Sequence, residues 1–306
     1  MKISLRKKGM ALLLLSAFLL AACQSDSAPT DGAKKGAITV GVSSSFAENE
    51  IVAEMYAQVL EKAGYKVKRQ LKLKSREISE PALERGEIDV VPEYLGSLLV
   101  FLDKNAAASS DATQTAAALS KLISTSHPDI ELLEPSKAND TNAFAVTRKT
   151  ADEKKLTKVS DLAPIAGQLT LGGPPECPQR PFCLVGLKDK YGVTFKEFKP
   201  LDVGGPITVS ALEGGEIDVA LLFTTSGVLK KKGFVLLEDD KGLQQADNIT
   251  PLVNKKVLND EVRELLNGVS AQLTSENISE LNGKVEIDKE DPADVAEEFL
   301  GEKELI

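Results

Sequence analysis

The pattern of apolar and polar positions predicts the same order of elements in two segments of the chain. In the first block, Ile38–Gly41 has the character of a buried strand. The helical spacing of apolar residues that follows predicts a helix over Ile51–Ala63, ended by a glycine. In the second block, Leu169–Gly172 is a similar strand, and a helix is predicted over Phe182–Lys190, again ended near a glycine. Both blocks therefore predict α/β structure.

A longer match ties the two blocks together. The segment Ala82–Val90, Ala-Leu-Glu-Arg-Gly-Glu-Ile-Asp-Val, recurs 129 positions later as Ala211–Val219, Ala-Leu-Glu-Gly-Gly-Glu-Ile-Asp-Val. Each copy predicts a helix end, a glycine in the left-handed conformation and the start of a buried strand. The residues after the strands correspond too, at the same offset. Two copies of one α/β unit predict two similar lobes.

The residues that follow the repeated strands are candidates for a ligand site. In open α/β sheets, ligands bind beyond the carboxyl ends of the strands. Tyr94 and Phe223 occupy that position in the two copies, so they are predicted to be walls of a cleft between the lobes. The alternative is that both rings only pack in a core.

Three helices are predicted near the end of the chain, over Val257–Leu273, Ile278–Leu281 and Pro292–Leu300. We expect them to return to the first lobe, with the chain crossing between lobes near Asn139–Ala143 and Gly242–Thr250. The predicted first lobe is therefore 37–142 together with 245–306, and the second lobe is 143–244.

The first 22 residues have the order of a secretory signal peptide. A basic start precedes an apolar run, Met10–Leu20, which is too short for a span of roughly 20 residues. The sequence then reads Leu-Ala-Ala-Cys, ending at Cys23, and resembles the lipobox of bacterial lipoproteins. That resemblance implies cleavage before Cys23 and its lipidation. An ordinary signal peptide is the alternative. Residues 23–36, polar and rich in Ser, Asp and Gly, are predicted to be a flexible tether.

Charge and cysteine content narrow the possible partners. The chain has 37 basic and 46 acidic residues and a formal net charge of −9, which disfavours nucleic-acid binding. Cys177 and Cys183 are predicted to form a disulfide if the compartment is oxidising, and two free thiols are the alternative. No metal or cofactor is expected, because His127 is the only histidine and four soft ligands are not found.

An enzyme is the least favoured class. A Ser-His-Asp arrangement is not predicted, since the lone His127 lies in what looks like a surface turn. The Gly172–Pro175 segment is glycine-rich but lacks the Lys-Ser/Thr of a phosphate loop. Glu93 is interpreted as a structural or hinge residue.

Several segments resemble the osmoprotectant-uptake binding proteins, which capture glycine betaine, choline and related quaternary amines for ABC importers. The most specific is Pro92–Ser97, Pro-Glu-Tyr-Leu-Gly-Ser, after Gly-Glu-Ile-Asp. The resemblance runs from Ile38 onward, and the cysteine-flanked loop is similar to an actinobacterial branch. It implies a two-lobed periplasmic-binding-protein fold of type II that closes over its ligand. It also implies an aromatic cage for the ammonium group and an arginine for the carboxylate.

Carried over by position, the resemblance implies a set of ligand-binding residues. Tyr94 matches a cage tyrosine, Phe223 stands at another cage position, and Arg180 matches the carboxylate-binding arginine. Asn142 and Asp247 stand at or near positions where the family usually has an aromatic residue; Phe46 and Phe182 are the candidate replacement rings. The full predicted set is Ser44, Phe46, Asn49, Tyr94, Ser97, Thr141, Asn142, Arg180, Phe223, Thr224 and Asp247.

The resulting hypothesis is a lipid-anchored binding protein on the extracytoplasmic face of the membrane, working with ABC permease and ATPase subunits on a betaine-like ligand. Three alternatives stay open. The same module could take another small polar or polyhydroxylated solute. The chain could be a ligand-sensing lipoprotein without a transporter, or an extracellular enzyme.

Overall fold

The computed structural model describes residues 35–43, 47–73, 75–106 and 109–306. The predicted signal peptide, the lipidation site Cys23 and the candidate site residues Ser44 and Phe46 lie outside these ranges. Within them, no helix has both the length and the apolar character that crossing a membrane requires.

In the described part of the chain, ten strands form two five-stranded sheets with the same pattern of neighbours. The first sheet has the order β2-β1-β3-β10-β4 and the second β7-β6-β8-β5-β9. In each, the first three strands are parallel and the fourth is antiparallel to the third. The strands are β1 Ala37–Ser43, β2 Lys66–Leu73, β3 Val90–Tyr94, β4 Ile130–Leu132, β5 Asn142–Val146, β6 Thr170–Gly173, β7 Glu197–Pro200, β8 Val219–Phe223, β9 Val235–Leu236 and β10 Ile249–Asn254.

Helices cover the sheets and bury their apolar faces. The first sheet has two large cores, one of them under the amino-terminal helix and the three carboxy-terminal helices. The helices are α1 Ala47–Lys62, α2 Arg76–Glu84, α3 Leu95–Leu102, α4 Ala112–Ser126, α5 Arg148–Lys154, α6 Leu184–Gly186, α7 Pro206–Glu213, α8 Val228–Lys232, α9 Asp260–Gln272, α10 Ser275–Gly283 and α11 Pro292–Glu302.

Most of the predicted elements are present. The helix expected over Ile51–Ala63 is α1, followed by Gly64 at φ +94°, and the three expected terminal helices are α9, α10 and α11. The helix expected over Phe182–Lys190 is instead the short α6 followed by a π-helical turn, Leu187–Tyr191. The close approach of Gly186 to the Pro181 carbonyl accompanies this break.

The aspartate of the repeated segment makes the same pair of hydrogen bonds in both sheets. Asp89 N donates to Thr39 O (2.7 Å), and Thr39 N donates back to Asp89 Oδ2 (2.7 Å). In the second sheet, Asp218 N donates to Thr170 O (3.0 Å), and Thr170 N donates to Asp218 Oδ2 (2.9 Å). The repeated aspartate therefore makes the same two-bond clasp between the starts of two parallel strands.

The glycine before each clasp is required by backbone geometry. Gly86 and Gly215 have φ +68° and +72°, a region that residues with a Cβ rarely adopt. Both turns return the amide of the next residue to an alanine carbonyl of the preceding helix, at 2.8 Å and 2.9 Å. The predicted left-handed helix cap is thus confirmed in both copies.

The chain crosses between the two sheets twice, in neighbouring segments. Asn139 and Asn248 form an isolated bridge, and Asp140 N donates to Asp247 O (3.1 Å). Both crossings lie within the segments predicted from the sequence. Asn142, which the sequence assigns to the first lobe, is the first residue of β5 in the second sheet. The lobe boundaries themselves stay a prediction.

Removing the clasp from the second lobe should lower stability. In Asp218→Ala, the Thr170 amide loses its side-chain acceptor, and we expect a loss of about 1–2 kcal/mol in the free energy of unfolding. Asp218→Asn keeps an oxygen at the same place and should lose less. Urea unfolding of both variants measures the difference, and equal losses would contradict the role given to the carboxylate oxygen.

Candidate ligand-binding cleft

A cavity of about 770 Å³ lies between the two sheets, at the carboxyl ends of their central strands. Strand β3 and helices α2 and α3 form most of its wall on the first-lobe side. The disulfide loop and the end of β8 form the second-lobe side. Its functional groups include Asn49, Arg76, Glu77, Glu93, Tyr94, Ser97, Phe101, Lys104, Asp140, Asn142, Glu176, Arg180, Phe182, Phe223, Gln244, Gln245 and Asp247.

Tyr94, the predicted cage tyrosine, is held by its hydroxyl. It ends β3 and lines the cavity, and only 9% of it is exposed. Its Oη lies 2.8 Å from Glu48 Oε1 and 2.6 Å from Asn49 Oδ1, so its single proton is donated between these two acceptors. Burial, with Glu48 next, raises the pKa of Tyr94 well above its usual value. The phenol therefore stays neutral, and the ring is fixed against the cavity.

Arg76 is a cavity residue that was not predicted from the sequence. It begins α2, and its Nε and Nη2 donate to both carboxylate oxygens of Glu93 at 2.7–3.0 Å. The Arg76 guanidinium also lies 5.9 Å from the centre of the Phe101 ring. Glu93 is 5% exposed, so this fork-shaped pair compensates a buried charge. The available signal was the position of Ser75-Arg76 directly after a strand, at the edge where ligands bind.

Asp247 and Ser97 join the crossing segment to α3. The Ser97 amide donates to Asp247 Oδ1 (2.6 Å), and the Ser97 hydroxyl donates to Oδ2 (2.7 Å). Burial raises the pKa of Asp247, while the bonds from Ser97 and the charge of Arg76 oppose that rise. Both residues line the cavity, and their side chains already bond to each other.

Arg180 is exposed and lies inside a disulfide-closed loop. Cys177 and Cys183 form the predicted disulfide, with their Cα atoms 5.3 Å apart. Within the loop, Arg180 N donates to Cys177 O (3.2 Å), and Cys183 N donates to Arg180 O (3.1 Å). The backbone of Arg180 is thus held at the cavity wall, while its side chain has access to solvent.

Among the described residues, four aromatic rings line the cavity, two from each lobe. Tyr94 and Phe101 come from the first lobe, and Phe182 and Phe223 from the second. Phe182 was expected as a replacement ring, whereas Phe101 was not identified from the sequence. Asn142 also lines the cavity, and its Nδ2 donates to the Phe182 carbonyl at 3.4 Å.

Thr141 and Thr224 are placed differently from the other predicted residues. Neither lines the cavity; both lie at an adjoining depression of about 530 Å³, which shares Asn142, Gln244 and Gln245 with the cavity. Thr141 N donates to Thr224 Oγ1 (2.9 Å), and Thr224 Oγ1 donates to Asn139 O (2.9 Å). These bonds stabilise the crossing segment, so the placement does not support the prediction that the two threonines bind ligand.

A group of carboxyls whose pKa values are raised by burial lies next to the cavity, and one of them, Asp140, lines it. Glu48 Oε2 accepts from Asn282 Nδ2 (3.1 Å), and burial raises the pKa of Glu48. Burial, with Glu48 next, also raises the pKa of Asp140 well above its usual value. Glu286, in a π-helical turn nearby, has its pKa raised to about 7, chiefly by burial, with Glu48 adding to the rise. These acids therefore hold protons that exposed carboxyls have released.

Two lobes joined by two crossings, with a mixed aromatic and charged cavity between them, are the architecture of a solute-binding protein. Residues 36–302 match the family of the substrate-binding domain of ABC-type glycine betaine transport systems. The chain belongs to this family, and its fold is the two-lobed type II periplasmic-binding-protein fold.

Known relatives agree with the family assignment. The chain is 28% identical over 267 residues to glycine betaine-binding protein YehZ of Escherichia coli, covering 84% of this chain and 87% of the relative. It is 29% identical over 279 residues to a glycine-betaine-binding protein of Pseudomonas aeruginosa, covering 85% and 86%. A crystal structure described as a glycine betaine/carnitine/choline ABC transporter gives a TM-score of 0.76 at 25% identity, covering 88% of this chain and 99% of that one.

The raised pKa of Glu286 predicts how stability depends on pH. An unfolded glutamate titrates near 4.5, so between pH 4.5 and about 7 the folded state holds the extra proton. Stability must therefore fall as pH rises through this window. Glu286→Gln cannot ionise, and we expect it to reduce the fall by up to about 3 kcal/mol.

Urea midpoints of both proteins at pH 4.5, 6 and 7.5 measure this effect. The exposed Glu276→Gln is the matched control, because it replaces a carboxylate in the first turn of α10 without burial. An equal pH dependence in wild type and Glu286→Gln would show that Glu286 titrates normally.

Proposed function

We propose that this protein captures glycine betaine or a related quaternary amine in the cavity between its lobes, as the binding subunit of an ABC importer. The observation that carries this proposal is the meeting of four aromatic rings and Arg180 around one cavity. A quaternary ammonium group has no N–H to donate, so it is held by ring faces and negative charge. A carboxylate is best met by an arginine.

The rings support binding of the cationic end. Each well-placed ring contributes about 0.5–2 kcal/mol to cation binding, depending on how dry the site is. Two rings stand on each side of the cavity, so a cage forms only when the lobes approach one another. Ligand binding is then coupled to hinge closure. The ligand shifts the equilibrium between the open and closed forms by as much as it prefers the closed form.

The charged groups around the cavity support a zwitterionic ligand. The buried carboxyls Asp140 and Asp247 lie on the crossing segments, whereas Arg180 lies in the disulfide loop of the second lobe. A permanent positive charge beside Asp140 or Asp247 would favour their ionised forms. Arg76 is already engaged by Glu93, and Arg180 and Lys104 are the other cations among the described residues that line the cavity. We choose Arg180 for the ligand carboxylate, because a guanidinium can donate two parallel hydrogen bonds to a carboxylate.

The disulfide supports a recognition role for its loop. A loop whose conformation is already restricted loses less entropy when its residues contact a ligand. The two backbone bonds between Arg180 and the cysteines add to that restriction. We propose that Cys177–Cys183 keeps Arg180 at the cavity in the ligand-free protein.

The proposed location of the protein rests on the pattern of its amino-terminal sequence. We propose that the signal peptide directs export, that Cys23 carries a lipid, and that residues 23–36 tether the two lobes to the extracytoplasmic face of the membrane. Permease and ATPase subunits of the importer are then the partners.

The variant Arg180→Gln distinguishes recognition of the ligand carboxylate from recognition of its ammonium group. Glycine betaine has a carboxylate and choline has a hydroxyl, so loss of the guanidinium should weaken betaine binding by at least 10-fold, the effect of one charge-assisted hydrogen bond. Choline binding should change by less than about 3-fold. Calorimetric titration of the purified chain with both ligands measures this difference.

Phe223→Leu is the complementary variant. It removes one ring and keeps an apolar side chain, so both ligands should weaken by a similar factor of roughly 3–10. Equal weakening of betaine and choline by Arg180→Gln would argue against the carboxylate role. If wild type binds neither ligand, nor carnitine, the quaternary-amine proposal fails and a wider screen of polar solutes is needed.

A further inference from the structure

Three side chains with metal-binding chemistry meet outside the cleft. Glu80 and Glu84 are one turn apart on α2, so they share a face of that helix. His127, the cap residue at the end of α4, projects toward the same face. Its backbone N–H is fixed by a 2.8 Å bond to Ile123 O.

The donor atoms of these residues are already close together. One nitrogen of His127 and one oxygen from each glutamate lie within 4.8 Å of one another. His127 Nδ1 is 3.9 Å from Glu80 Oε1 and directly contacts Glu84 Oε1. Ligands on a tetrahedral Zn²⁺ at bond lengths of about 2.1 Å are roughly 3.4 Å apart, so small side-chain adjustments would bring all three onto one ion.

The burial of Glu80 is a second observation, independent of the spacing of the donor atoms. Glu80 is 6% exposed, and its Oε1 is buried with no hydrogen-bond partner among the described residues. That oxygen belongs to the carboxyl that faces His127. A buried carboxyl oxygen without a partner is costly, and such groups are rare in native proteins.

We propose that Glu80, Glu84 and His127 bind one Zn²⁺ ion. Two carboxylates and one imidazole are a donor set that Zn²⁺ accepts, with water in the fourth position. Mg²⁺ and Ca²⁺ prefer oxygen ligands alone. Glu84 is 37% exposed and His127 19%, which leaves an entry path and room for the water.

The ion would connect two helices. Glu80 and Glu84 lie in the carboxy-terminal half of α2, whereas Arg76, at its other end, lines the cleft. Zn²⁺ binding would therefore fix α2 against the end of α4. The site is independent of the ligand cavity, and so the proposal does not rest on the identity of the solute.

The single histidine makes a direct test possible. The full chain, freed of metal with a chelator and labelled with ¹⁵N, is titrated with Zn²⁺ alone, and the imidazole nitrogens are followed by long-range ¹H–¹⁵N NMR. We expect saturation at one ion per chain with a large shift of Nδ1, the nitrogen that faces both glutamates. A shift at Nε2, or no shift, would overturn the proposal.

Substitutions test which side chains bind the ion. Glu80→Gln and His127→Ala should each weaken Zn²⁺ binding by more than about 100-fold, since loss of an outer partner alone costs 10–100-fold. Glu302→Gln is the control, because Glu298 and Glu302 are also one turn apart on a helix but face Lys284. Calorimetry measures the affinities. Unchanged binding in Glu80→Gln or His127→Ala would show adventitious zinc elsewhere, and the three residues would then be only a proton-sharing group.

Discussion

The two neighbouring crossings of the chain are the constraint on which the rest of the structure depends. Asn139 and Asn248 pair across the crossings, Asp140 N donates to Asp247 O, and Asp247 N donates to Asn139 Oδ1 (2.8 Å). These bonds hold the two crossing segments together as one seam between the lobes. Since the cavity lies directly beside the seam, a small rotation changes the separation of its two walls.

The same seam concentrates buried polar groups. Asp247 holds α3 through Ser97, and Glu48 bonds to Tyr94 and to Asn282. On the side away from the cavity, Asn282 Nδ2 also donates to Thr225 O (2.9 Å), linking α10 to the second lobe. These groups are costly to bury unless each has a partner, so their hydrogen bonds determine how the elements beside the hinge pack against one another. Burial also raises the pKa of Glu48 and of Asp247.

The fold could largely be predicted from the sequence, because its signals are local. The glycine turns at Gly86 and Gly215 and the aspartates that follow them recur in sequence because each performs a task within its own α/β unit. The cavity was harder to predict. Tyr94, Phe223 and Arg180 follow recognisable segments, whereas Arg76 and Phe101 reach the cavity through the packing of α2 and α3.

Residues that join distant segments could not be found by pattern alone. Thr141 and Thr224 are 83 positions apart and bond to each other at the seam, which their sequence neighbours do not reveal. Glu80 and His127 meet because α2 and α4 lie on the same lobe, although the sequence places them far apart. In both cases, tertiary packing decides whether a polar residue is a structural partner or a candidate site.

Closure of the lobes over a quaternary amine is the central claim, and a distance across the cleft tests it most directly. Ile78 on α2 and Val185 on α6 are exposed, at 45% and 39%, and belong to different lobes. Spin labels at Ile78→Cys and Val185→Cys, in a Cys23→Ser chain, allow this distance to be measured by pulsed electron paramagnetic resonance. Saturating glycine betaine should shorten and narrow the distance distribution. An unchanged distribution in protein that has bound the ligand would contradict the account.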